Sequence, residues 1–344
     1  MPSLFITTIR ADIDSLYLSR DSGGTLFVDQ AFPGASDDND GLSATSPKKT
    51  ITGAIGSGSS GWKIRVAPGN YTENIVIPAG YEGLIIEGRD RLGADRTTIA
   101  PASGIPIEIN SNNVEIFNME IIAGTVAPGD THNTALYLKG LNHKIHDLSI
   151  LGNSDGCWGI WLDDADYADV HDCYIDGGYK VDGIGVFIGD DTISSKIHNN
   201  YITKWGSGFG DGGANNGYGI GRHINAQRSL ITENDILDNY VGIYYYPPGG
   251  PTDIEGDSII HNNFAENTSY DIYDTHEYPE SAINIDSNFF GYSTGGVVWH
   301  ADSNGDNVAD SIIFCGTNRD RHPLAGPHIW RGVVGSLPRF GGLT

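Results

Sequence analysis

Three groupings of side chains have the types and spacing to do chemistry. The interval "TKWGSGFGDGGANNGYGIGRHINAQR" (Thr203–Arg228) carries Tyr218, Arg222 and His223 in a glycine-rich stretch. Abstracting a proton alpha to a carboxylate needs a base and a cation beside the developing charge, roles that His223 or Tyr218 and Arg222 can fill. Asp164 and Asp190 each end a short apolar segment, "GIWLDD" and "GVFIGD". Two carboxylates brought together serve as acid and base in glycoside hydrolysis, or hold Ca²⁺. The loop "DSNGDNVAD" (Asp302–Asp310) sets Asp302, Asn304, Asp306 and Asp310 at alternating positions, with the Val308 carbonyl in reach. Hard oxygen donors at that spacing suit Ca²⁺.

Two further sets are columns rather than clusters. His146, His171, His198 and His261 follow an apolar residue in similar segments, for example "SKIHNNYIT" and "SIIHNNFAE". Stacked imidazoles can bind a metal, but a straight column lacks convergence, and asparagine beside histidine suits tight turns. The histidines therefore read as scaffold. The other set is Tyr137, Trp161, Phe187, Tyr244 and Tyr273, with Gly221 interrupting it. Alternation sets these aromatics opposite the apolar Leu136, Ile160, Val186, Ile243 and Ile272, hence outside. Such a row stacks on sugar rings, packs against a neighbouring subunit, or lies under a loop. Gly221 opens a notch in it.

The elements that position these residues repeat. "VEIFNMEII", "HKIHDLSIL", "ADVHDCYID", "SKIHNNYIT", "SLITENDIL", "SIIHNNFAE" and "INIDSNFFG" recur at intervals of 25 to 34 residues, aligned on Ile116, Ile145, Val170, Ile197, Ile231, Ile260 and Ile285. A second alternating series, from "ALYLKG" to "DIYDTH", lies between them. Two strands and turns per period, with little helical signal, predict an all-β right-handed parallel β-helix. Its coils share one continuous core. "SPKKTITGAIGSG" predicts a short capping helix with Ser46 as N-cap and Pro47 in its first position. The expected organisation is an arm over 1–24, a cap region over 25–62, the β-helix over 63–291 and an irregular tail over 292–344.

Composition narrows the partners. Forty-four acidic residues against 20 basic ones give a net charge of −24. That field opposes nucleic acid and anionic membrane surfaces. It also opposes an acidic polysaccharide, unless Ca²⁺ bridges the two. Cys157, Cys173 and Cys315 are too few and uneven for a disulfide framework. The opening residues carry early charges and no apolar core of a secretory signal, and no apolar run spans a bilayer.

"FVDQAFPGASDDNDGLSATSPKKTITGAI" followed by "IRVAPGNYTENIVI" resembles the opening segment of pectate-lyase-like β-helix proteins. "NFFGYSTGG", "DSNGDNVADSIIF" and "DRHPL" resemble the terminal pattern of NosD-like β-helix proteins of the carbohydrate-binding and sugar-hydrolase class. "DSNGDNVAD" also resembles calcium-binding repeat loops, with Asn307 where a glycine is usual and Ile313 in place of the distal acid. "GNYTE" (Gly69–Glu73) is similar to pectin methylesterases, but their later catalytic motifs find no match, so that activity does not carry over. The resemblance implies fold; these families include lyases, hydrolases, binding proteins and viral spikes.

Two function classes follow. One is a non-enzymatic structural or attachment protein of the virion-decoration, spike or surface kind, a homo-oligomer (a trimer is the expectation) that uses its aromatic face on sister subunits or glycans. The other is a polysaccharide lyase or glycoside hydrolase acting along the β-helix.

Overall fold

A computed structural model describes residues 23–90, 95–125, 133–206, 217–223, 225–245, 255–268, 270–274 and 282–290. Every strand pairing in it is parallel, and partners lie one coil apart, which makes the chain a right-handed parallel β-helix. Three strand stacks form its walls. The first runs through Thr25–Val28, Lys63–Val66, Ile85–Glu87, Asp169–His171, Lys196–His198 and Leu230–Thr232. The second runs through Gly69–Tyr71, Thr97–Ile99, Tyr174–Lys180, Tyr201–Trp205 and Asp235–Leu237. Glu115–Ile122 and Lys144–Leu151 are long enough to pass through the corner and join both. The third is eight-stranded and includes Asn133–Leu138, Cys157–Leu162, Ile184–Ile188, Tyr218–Arg222, Val241–Tyr245 and Tyr270–Asp274.

Inward positions are branched aliphatics. Ile116, Ile145, Val170, Ile197, Ile231, Ile259 and Ile285 form one buried row, and each contributes roughly 1.5–3 kcal/mol by leaving water. The row uses Ile259, where the sequence alignment had placed Ile260. Ser258, Ile259 and Ile260 pair with Leu230, Ile231 and Thr232. His261 therefore falls one place past the His198 position, and only His146, His171 and His198 share a column.

The corner explains that offset. Its first residue takes a left-handed backbone, as in Asp172, Asn199, Glu233 and His261. Asparagine and aspartate tolerate this conformation best among side-chain-bearing residues. The next residue is a buried asparagine in the last coils: Asn200, Asn234, Asn262 and Asn288. The Asn234 amide donates to the Ile197 and Thr232 carbonyls and to Asn262 Oδ1, while its own oxygen accepts from the Asn200 backbone and side chain. A second ladder, Asn239 on Asn267, does the same at the next corner. Each corner amide thus meets its neighbour's need where the sheet ladder is broken.

The helix is Ile51–Ser57, and its N-cap is Thr50, whose hydroxyl accepts from the Gly53 N–H at 2.9 Å. Ser46 and Pro47 were expected there. Lys48 instead bridges the edge strand at Val28, which keeps that stretch extended. Ile51, Ala54 and Ile55 pack over the first core residues. Thr25–Val28 lies within the expected cap region and is the first rung of the first stack. Cys157 and Cys173 are both buried and are not bonded to each other.

One charged pair lies inside the core. The Arg222 side chain points inward, is fully buried, and meets the Asp257 carboxylate. It donates to the His223 and Ala226 carbonyls and lies 5.1 Å from the Tyr245 ring centre. Burial pushes the Asp257 carboxyl up, and the Arg222 guanidinium opposes that.

The outer face of the first stack carries Phe117, His146, His171 and His198 in stacked contact at 4.8–4.9 Å. Burial pulls the His146 pKa down, but its hydrogen bonds to Asp147 and Glu115 outweigh that and hold it up at about 9.

Asn234→Ala is expected to cost about 2–4 kcal/mol in urea unfolding, because it orphans several buried polar groups at once. Arg222→Met leaves Asp257 buried without its cation and is expected to cost about 3–5 kcal/mol. Since the folded His146 pKa is raised above the unfolded value of about 6.5, its contribution is complete below that pH and is lost as pH rises through about 9. His146→Gln should flatten the fall in stability over this window, and an unchanged slope would remove the assignment.

Candidate functional site: the outer face of the third stack

Alternation in the third stack sends Ile160, Val186, Ile220 and Ile243 inward. The positions beside them line up outside in the expected register: Tyr137 on Trp161, Trp161 on Phe187, Phe187 on Gly221, Gly221 on Tyr244, Tyr244 on Tyr273. Beneath Tyr137 the column continues as Glu108.

The structure adds a second outward column three residues earlier: Trp158, Ile184, Tyr218, Val241 and Tyr270. Gly159, Gly185, Gly219 and Gly242 separate the two columns from the inside. A Cβ on Gly185 would lie 2.4 Å from the Gly219 carbonyl oxygen, so that position excludes a side chain in this coil, whereas Ala135 and Asp271 occupy it in the first and last of these coils. The signal was present in the sequence as the aligned quartets "WGIW", "IGVF", "YGIG", "VGIY" and "YDIY". Strict alternation hid it, because the glycine bend sends residues three apart to the same face.

Together the columns form a cluster outside the solenoid. Trp158, Ile184, Phe187, Tyr218 and Val241 are buried within it, and Trp161, Tyr240, Tyr244, Tyr270 and Tyr273 pack on it half-buried. The rings near the middle meet edge to face: Tyr137 with Trp161 at 5.1 Å and 82°, Trp161 with Phe187 at 6.0 Å and 69°. The upper rings stack flat: Tyr218 on Tyr244 at 4.3 Å and 7°, Tyr244 on Tyr273 at 5.5 Å, Tyr270 on Tyr273 at 4.6 Å. The expected notch at Gly221 is filled. A Cβ there would lie 3.1 Å from Phe187, and Tyr218 leans onto Tyr244. At the lower end the Tyr137 hydroxyl donates to Asp163, which also pairs with Lys139 at 3.0 Å. Burial, then the Asp163 carboxylate, push the Tyr137 phenol up.

The lyase-type set does not assemble. Tyr218 and His223 are on the outer side of their strand, while Arg222 between them is in the core with Asp257. The wall of the sheet separates the base from its cation. Asp164 and Asp190 occupy equivalent places just past paired residues Leu162 and Ile188. Asp190 pairs with His223, and Asp164 sits in a left-handed turn. A cleft of about 370 Å³ near the first coil is bordered by Asp29, Arg65, Glu87 and Arg89, with Arg65 tied to Glu87 at 3.1 Å. The calcium motif at Asp302, Asn304, Asp306, Val308 and Asp310 lies outside the described residues, as do Cys315 and most of the N-terminal arm. No helix among the described residues is long and apolar enough to cross a membrane.

No curated protein matches the sequence. Solved structures do. A pectin methylesterase in complex with a hexasaccharide is 16% identical, covers 79% of this chain and 90% of its own, and superposes with a TM-score of 0.48. A pectate lyase, Pel9A, is 14% identical over 81% of this chain and 79% of its own, with a TM-score of 0.46. ORF18 of Geobacillus virus E2 is 15% identical over 85% of this chain but only 51% of its own, with a TM-score of 0.43. Each likeness is one of fold alone. Residues 34–289 match the model of a family described as a protein of unknown function, DUF1565, and the chain is a member of that parallel β-helix family.

Proposed function

We propose that the chain is a non-enzymatic structural or attachment protein of the virion-decoration or surface kind. In this reading it self-associates through the aromatic face of the third stack. The observation that carries the proposal is the state of the rings. A sugar binds an aromatic side chain by lying on its face. Tyr244 and Tyr273 each stack on two neighbouring rings, and Tyr218 and Tyr270 on one, so much of the ring-face area that a sugar would use is already taken. Edges and hydroxyls on an apolar base, rimmed by charged residues such as Asp163, Lys139 and Asp190, have the anatomy of a protein contact. The separation of Arg222 from Tyr218 and His223 supports the non-enzymatic side of the proposal.

A homo-oligomer follows, and its copy number is read by sedimentation. The triple variant Trp161→Ala, Tyr244→Ala, Tyr273→Ala is expected to weaken association about tenfold or more, with the circular dichroism of the β-helix retained. Wild-type protein that stays monomeric at tens of micromolar, or a variant that associates equally well, would overturn the interface. Release of reducing ends or unsaturated products from a polysaccharide panel, with or without Ca²⁺, would overturn the non-enzymatic assignment.

A further inference from the structure

The histidine column, read from sequence as scaffold, gains a convergent neighbour in three dimensions. Asp169 stands two residues before His171 on one strand, so both point outward. His198 sits on the next rung, directly opposite His171. One carboxylate oxygen of Asp169 and one ring nitrogen each of His171 and His198 all lie within 4.8 Å of one another. The Asp169 oxygen is already 2.9 Å from His198 Nε2.

We propose that Asp169, His171 and His198 bind one divalent transition ion of the Zn²⁺ class, as a staple between two successive coils. The donor set, two imidazoles and a carboxylate, matches the ligand types of that ion, with water completing the tetrahedron. His171 is prepared for the role. Its Nδ1 is 2.8 Å from the Asp172 carboxylate, an outer partner that holds the proton there and leaves the lone pair on Nε2. His146, one rung below, is unsuited, because Glu115 and Asp147 occupy both of its nitrogens. Ligand atoms around a tetrahedral Zn²⁺ are about 3.4 Å apart. Side-chain rotations of Asp169 and the two rings close the difference. The rings are already 21° from parallel, and ligation requires them to tilt further, since a metal lies in the plane of each imidazole. Binding places the ion where the Asp169–His198 hydrogen bond now lies. Lys144 and Lys196 flank Asp169 in register on either side and moderate the affinity.

The test is calorimetric titration of the full chain with ZnCl₂, with Co²⁺ absorption reporting coordination geometry. Wild type is expected to show a Zn²⁺ site that weakens about tenfold or more in Asp169→Asn, His171→Gln and His198→Gln, but not in His261→Gln. Zn²⁺ should also raise the Tm of wild type and not of the three variants. This second readout is independent of oligomeric state and is checked alongside circular dichroism of each variant. Absence of Zn²⁺ binding by wild type, or equal binding and equal Tm shifts in all variants, would overturn the site.

Discussion

Parallel coils stack with a strand spacing of about 4.8 Å, so every side chain meets the same position of the coil above and below. That repetition is the constraint on which the rest of this structure depends. A residue is admitted at a position only if it tolerates its own copy. Isoleucine does so in the core by interdigitating, and asparagine does so at the corners because its amide both donates and accepts. Aromatics do so by stacking. On the outer face of the first stack charges alternate: Glu115, Lys144, Asp169 and Lys196 follow one another in a single column.

The same rule decided how much could be read in the sequence. The repeat, the buried isoleucine row and the aromatic column through Tyr137, Trp161, Phe187, Tyr244 and Tyr273 were legible because each recurs once per coil. "SIIHNNFAE" misled because it shares its Ser and its Ile-His-Asn-Asn run with "SKIHNNYIT" while pairing one residue out of step. The asparagine ladder at Asn262 and the buried Ile259 fix the register there, and both outrank the histidine. Trp158 and Tyr270 escaped notice because the bend at Gly159 and at the equivalent Asp271 breaks the period of two. Arg222 looked like a surface cation in a glycine-rich interval. Its partner Asp257 is 35 residues away and comes near only through coil stacking. Likewise Asp169 and His198 are 29 residues apart in sequence, yet become hydrogen-bonded neighbours.

Both proposals place function on faces of the solenoid. The third stack wears an apolar aromatic strip whose rings pack on one another, a surface suited to shape matching with protein. The first stack wears imidazoles and carboxylates of alternating charge, a surface suited to an ion. Between them, the wall of the sheet divides the residues that a lyase would have needed together. The net charge of −24 disfavours polyanions as partners.

Hydroxyl-radical footprinting across a concentration series tests this account most directly, because it reads individual rings in the assembling protein. Trp161, Tyr244 and Tyr273 are predicted to lose reactivity together as concentration rises through the association range. Tyr167 and Tyr179, which are exposed and outside the aromatic strip, should keep theirs. Equal reactivity of the strip at every concentration, or protection confined to other faces, would contradict it.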